Sequence, residues 1–159
     1  MLDRIPLAEV KPLTKKDYQV GGTTALLDAV GDAINHVKNI HKYARAEDVP
    51  QKTIVIITTD GEENDSQKFT YKQVKKLIGE QKEKGWEFVF LGANIDAAEV
   101  AESIGIDADN AVDYHADKVG TRKAYYAMNK FVASYRKMKS RPNRNWREEL
   151  DEDFKNRKK

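Results

Sequence analysis

The stretch Thr53–Asn64, "TIVIITTDGEEN", passes from an apolar, β-branched run into an acidic turn. Its apolar character is nearly continuous, which suits a strand covered on both faces, as in a parallel sheet. Asp60 follows the run and precedes Gly61, so its carboxylate is expected at the rim where the strand ends. "WEFVFLG", Trp86–Gly92, reads as a second strand of the same kind and leaves into "ANID". "AVDYH", Ala111–His115, is a weaker third strand. "IPLAEV", Ile5–Val10, is a fourth, placed at an edge because Pro6 has no N–H to donate.

Helical patterns lie between these runs. Leu26, Leu27, Val30, Ala33, Ile34, Val37 and Ile40 recur at 3.6-residue spacing after Thr24. Tyr71, Val74, Leu77 and Ile78 mark a second helix. Ala97, Val100, Ala101 and Ile104 mark a short third one stopped by Gly105, and Ala124, Met128, Phe131, Val132 and Tyr135 a fourth. Strands alternating with helices predict an α/β domain: a three-layer, doubly wound, Rossmann-like and mostly parallel sheet. In such sheets ligands collect at the carboxyl ends of the strands.

The chain of 159 residues is expected to hold one domain over residues 1–139, followed by a charged, flexible tail over 140–159. From Arg136 onward Lys and Arg exceed Asp and Glu by five, which leaves the rest of the chain mildly acidic. Because "EELDED" interrupts the basic charge, nucleic acid is not the expected partner. No apolar run reaches membrane-spanning length, and "MLDRIPLAEVKPL" lacks the layout of an export signal, so a cytoplasmic location without membrane insertion is expected. The absence of cysteine removes thiolate ligands and nucleophiles. His36 and His41 are five residues apart and do not share a helix face, so a zinc pair is not expected.

A second unusual stretch, "GGTTALLDAVG", Gly21–Gly31, opens the first helix. It lacks the lysine of a nucleotide-hydrolase loop and the spacing of a dinucleotide fingerprint. Thr23 or Thr24 is expected to cap the helix, with Asp28 near its positive end. With Asp60 it supplies an all-oxygen pair of the kind that hard cations such as Mg²⁺ or Mn²⁺ prefer.

Together these motifs resemble the von Willebrand factor type A domain, the integrin inserted-type domain. Its threonine loop is matched by "GGTTALLDAV", with Leu26 two and Ala29 five positions after Thr24, and its apolar strand ending Thr-Asp-Gly by "IVIITTDGEEN". "FVFLGANIDAAEVAESIGI" resembles the strand and short helix that follow. The resemblance covers roughly Tyr18–His115 and implies a metal-ion-dependent adhesion site with Thr24 and Asp60 as ligands. Thr23, Asp28, Glu62, Asn64 and Asn94 would form its second shell or rim. The family's first motif, Asp-x-Ser-x-Ser, has no match, so the domain is expected to be incomplete on its N-terminal side, through truncation, splitting or divergence.

The implied function is a non-enzymatic, metal-ion-dependent protein-binding module of adhesion or scaffold type. Its partner would offer an acidic side chain, and Mg²⁺ or Mn²⁺ would bind the isolated chain weakly or not at all. A homodimer or higher oligomer through the exposed Thr53–Thr59 edge is expected as well. The alternatives are a small α/β enzyme binding a phosphorylated or nucleotide ligand, and an oligomerising structural remnant.

Overall fold

The computed structural model describes residues 3, 5–12, 14, 16, 22–137 and 146–157. Three strands, β1 (Ile54–Thr59), β2 (Glu87–Gly92) and β3 (Ala111–Asp113), form a parallel sheet in the order β1-β2-β3. Among the described residues five α-helices accompany them: α1 (Leu26–Tyr43), α2 (Tyr71–Lys82), α3 (Ala97–Ser103), α4 (Lys118–Lys137) and α5 (Glu148–Asn156). The fold is α/β and Rossmann-like.

Alternation along β2 divides the core. Phe88 and Phe90 point to one face, where they join Ile57 and the apolar stripes of α1, α2 and α3, including Ile34, Val74, Ile78 and Ala101. Val89 and Leu91 point to the other, where they meet Val112 and the buried residues of α4 and α5. A strand buried on both sides must be apolar throughout, which is why β2 reads as a continuous hydrophobic run. β1 differs. Val55 and Ile57 pack on the α1–α3 face, but Ile56 on the opposite face is 36% exposed and Thr58 is exposed too.

Three expectations need correction. Ile5–Val10 is not an edge strand: Leu7–Glu9 form a 3-10 turn, closed by the Glu9 amide donating to the Pro6 carbonyl at 2.8 Å. Proline sets the φ such a turn uses and withholds the N–H a strand would use. Residues 146–157 of the expected flexible tail are folded. Trp146 packs edge-to-face on Phe131, Leu150 is 1% exposed, and Arg147 reaches the Ala108 and Asp109 carbonyls. Trp146, Leu150 and Phe154, each four residues apart, put one apolar face on an otherwise charged segment.

Finally, Thr23 and Thr24 do not cap α1. Its N-cap position is Ala25, which offers no side-chain acceptor, and the acceptors come instead from the loop after β1. No helix among the described residues is long and apolar enough to cross a membrane.

Candidate functional site

Because the strands are parallel, all three carboxyl ends meet at one rim, and the loops leaving them are tied together there. The amide of Asn64 donates to the Thr24 carbonyl at 3.0 Å, and the amide of Thr24 donates to Asn64 Oδ1 at 2.8 Å. The Thr23 hydroxyl donates to Asp65 Oδ2 at 2.9 Å. Gly61 lies beside the Thr24 hydroxyl: a β-carbon placed on it would stand 3.6 Å from Thr24 Oγ1. Asn94 Nδ2 donates to the Asp60 carbonyl at 3.1 Å, joining the exits of β1 and β2. Asn94 holds φ at 60°, the left-handed region that asparagine tolerates better than most residues. The structure thus brings Thr23, Thr24, Asp60, Asn64 and Asn94 to one end of the sheet. Glu62 lies exposed in the same loop.

The loop after β1 is fixed to α1 by a reciprocal exchange of carboxylates. Glu63 Oε2 accepts the Leu27 amide at 2.9 Å and the Ser66 hydroxyl at 2.8 Å; its Oε1 accepts the amides of Asp65 and Ser66. Ser66 Oγ takes the Asp28 amide at 3.0 Å. In return Asp28 accepts three amides at 2.9 Å each: Gln67 through Oδ2, and Lys68 and Phe69 through Oδ1. Burial pushes both carboxyls upward, but the amide bonds outweigh it and both settle below the usual carboxylate range. Asp28 is therefore a brace between α1 and the approach to α2. The positive end of the α1 dipole is met by Glu63.

Gly31 completes the brace, since the Phe69 ring lies where its β-carbon would be, 2.7 Å from that point. Only a glycine lets the loop approach the helix so closely.

Among the described residues, the side-chain oxygens of Thr24 and Asp60 make no hydrogen bond or ion pair, whereas Thr23, Asp28, Glu63, Asn64 and Asn94 are engaged. Two further groups border the rim. Asp113, at the end of β3, accepts the Ala97 amide at 3.0 Å and so sets the start of α3. Tyr114 is buried, and its phenol is pushed upward first by burial, then by the Asp60 carboxylate and Tyr125. Tyr114 had no expected place at the rim, although it falls inside the expected third strand, Ala111–His115, and Glu63 reads in the sequence only as one of the acidic residues lining the rim after Asp60.

The rim offers oxygen donors of the kind Mg²⁺ and Mn²⁺ take, though few of them: among the described residues the Thr24 hydroxyl and the Asp60 carboxylate are uncommitted, with the exposed Glu62 carboxylate in the same loop. Among the described residues no group of three or more His, Cys, Asp or Glu side chains is arranged to hold a metal ion. An ion held here would keep most of its water shell or draw ligands from a partner. Enclosed space lies elsewhere. A cavity of about 100 Å³ sits at the amino ends of the strands, lined by Lys82, Trp86, Asp107 and Asn110 among others. The rim itself is open, and the uncommitted oxygens stand on it rather than in the cavity.

Comparison with protein-family models, with curated proteins and with solved structures returned no match.

Proposed function

We propose that the rim is the remaining part of a metal-ion-dependent adhesion site, and that the chain is a non-enzymatic module of von Willebrand A type that binds a protein partner through it. We read the three strands and their helices as the C-terminal part of a three-layer, doubly wound sheet. The observation that carries the reading is selective commitment: around the rim the bracing side chains are engaged, while among the described residues Thr24 and Asp60, the two positions that match the family's ligands, keep their oxygens available.

In this reading Asp60 supplies charge, Thr24 a neutral oxygen, and water together with an acidic side chain of the partner completes the octahedral shell of Mg²⁺ or Mn²⁺. Asn94 fixes the backbone of Asp60, and Asn64 that of Thr24. The ion would bind the isolated chain weakly, because affinity for a hard dication rises with the number of charged ligands. The open edge of β1 supports association with a second copy of the chain.

The test is a thermal melt in Mg²⁺ or Mn²⁺ against chelator, for the parent chain, Asp60→Ala and Thr24→Ala. An ion at ten times its Kd stabilises the folded state by about 1.4 kcal/mol. In a chain of this size that raises Tm by roughly 3–6 °C. The reading expects that rise in the parent and its loss in both variants; an equal rise in Asp60→Ala would remove the ion from the rim.

A further inference from the structure

Among the described residues β1 pairs only with β2, so its other side is the edge of the sheet. The ladder determines which backbone groups face outward. Glu87 donates to the Thr53 carbonyl and Ala93 to the Thr59 carbonyl, so the odd-numbered residues of β1 turn their backbone groups toward β2. Ile54, Ile56 and Thr58 then present N–H and C=O to the open side. Their side chains share the face opposite α1–α3, the face on which Ile56 is 36% exposed.

Natural edges are usually blunted by charge, proline or a bulge. Ile54–Thr59 has no charged residue and no proline, and its pairing with β2 runs one-to-one over all six residues.

We propose that two copies of the chain join edge to edge through β1, antiparallel about a twofold axis, in the register centred on Ile56. This rests on the reading of β1 as a self-association edge and deepens it; it does not require an ion at Asp60.

The register follows from which residues face outward: it alone pairs each of Ile54, Ile56 and Thr58 with one of the same three in the other copy. Centred on Ile56, the twofold pairs Ile56 with Ile56 and Ile54 with Thr58 of the other copy, and each pair exchanges two backbone hydrogen bonds. Every outward-facing residue of the strand then finds a partner. The same register places Lys52 opposite Asp60 at both ends, so opposite charges face each other across the join. Lys52 lies on this face of the sheet, donating to the Tyr135 carbonyl with its ammonium 4.8 Å from the Tyr135 ring centre. Its field favours the register without requiring contact.

Centring on Ile54 instead would set Pro50, which has no N–H, opposite Thr58. Centring on Thr58 would set Ile56 against Asp60 and Ile54 against Glu62, an isoleucine facing a carboxylate in each pair.

The geometry has a consequence for the rim. In an antiparallel pair the two rims lie at opposite ends of a continuous six-stranded sheet, with the two Asp60 residues separated by eight strand positions, roughly 27 Å. The second copy therefore does not complete the ion site. It makes the assembly bivalent, with two rims facing away from each other.

The experiment combines sedimentation equilibrium with single-cysteine oxidation, which the cysteine-free chain allows without background. The parent chain should approach twice its 18.1 kDa mass as concentration rises. Ile56→Lys, which sets two ammonium groups against each other on the axis, should weaken association at least about tenfold. Oxidation of Ile56→Cys should give a covalent dimer, since directly paired residues stand about 5.5 Å apart at Cα, within disulfide reach. Thr58→Cys should not, because the two cysteines would be roughly 14 Å apart.

A parent chain that stays monomeric at millimolar concentration overturns self-association altogether and leaves the edge to a strand from another protein. A dimer that crosslinks through Thr58→Cys but not Ile56→Cys overturns the register while self-association stands. Neither result bears on the ion.

Discussion

Glu63 and Asp28 do for the rim what a short capping residue does for an ordinary helix, but from a distance. Asp28 on α1 accepts three amides of the loop after β1, and Glu63 on that loop accepts the Leu27 amide of α1 as well as two amides of its own loop, so the helix and the loop are held as a unit. Removing Glu63 leaves the Leu27 amide without its acceptor and frees the loop that carries Asp60. Glu63→Ala is expected to cost about 0.5–2 kcal/mol in urea denaturation, the range for a lost helix cap. It should also weaken any ion effect, although Glu63 is no ligand. A variant with parent stability would mean that the brace is ornamental.

Thr24 and Asp60 were legible as a pair because each sits at a recognisable junction, a glycine–threonine helix start and an apolar strand ending in Asp-Gly. The brace was not legible. Its partners lie 36 to 41 residues apart, and nothing local distinguishes Glu63 from its neighbours Glu62 and Asp65.

At the scale of elements, α5 shows how charge can hide a packed helix. Its apolar contacts, Leu150 in the core and, just before the helix, Trp146 on Phe131, are few, and ion pairs help hold it: Lys123 and Arg157 to the buried Asp153, and Arg157 to Asp117. His115 stacks on Phe154 with centroids 4.8 Å apart, so the end of β3 and the end of α5 meet. The hydrogen bond from Arg157, with that from the Gly120 amide, holds the Asp117 carboxyl at about 2, below its usual 3.8. Asp153 is lowered as well, first by Lys123, against the opposing effect of burial.

A carboxyl whose folded value lies below its unfolded one stabilises fully above the unfolded value and loses that contribution as pH falls through the folded one. The attachment of α5 should therefore be intact at pH 5 and loosen between about 4 and 2. Trp146 fluorescence in a Trp86→Phe background should follow the change, and Asp117→Asn should weaken the attachment at neutral pH and flatten its pH dependence. A Trp146 signal unchanged down to pH 2 would contradict this.

The strands and the first four helices were readable from periodicity, with boundaries shifted by a few residues. The expected edge strand at Ile5–Val10 failed because an apolar–polar alternation containing Pro6 suits a turn as readily as a strand. The tail was misread because its net charge outweighed three apolar residues at helical spacing.

At the scale of the whole molecule, two features stand apart: a rim where carboxyl ends and braced loops converge, and a sheet edge with outward-facing backbone groups. On the proposed readings the first binds a partner's acidic group through an ion and the second doubles the number of rims. A bivalent assembly with opposed rims would favour partners presented in arrays over single soluble ones. An open edge at β1 was expected from the resemblance, whose Asp-x-Ser-x-Ser strand has no match in the sequence; which residues of β1 face away from β2 was not legible, since that is a property of the pairing with Glu87–Gly92.

The central claim is that an ion binds at the rim, and the most direct measurement is a titration with Mn²⁺ followed by paramagnetic broadening of backbone amide signals. The account predicts broadening centred on residues 22–25, 60–62 and Asn94, reversed by excess Mg²⁺ and absent in Asp60→Ala. Broadening centred instead on the acidic start of α5, around Glu148, Glu149 and Asp151, or persisting in Asp60→Ala, would contradict it.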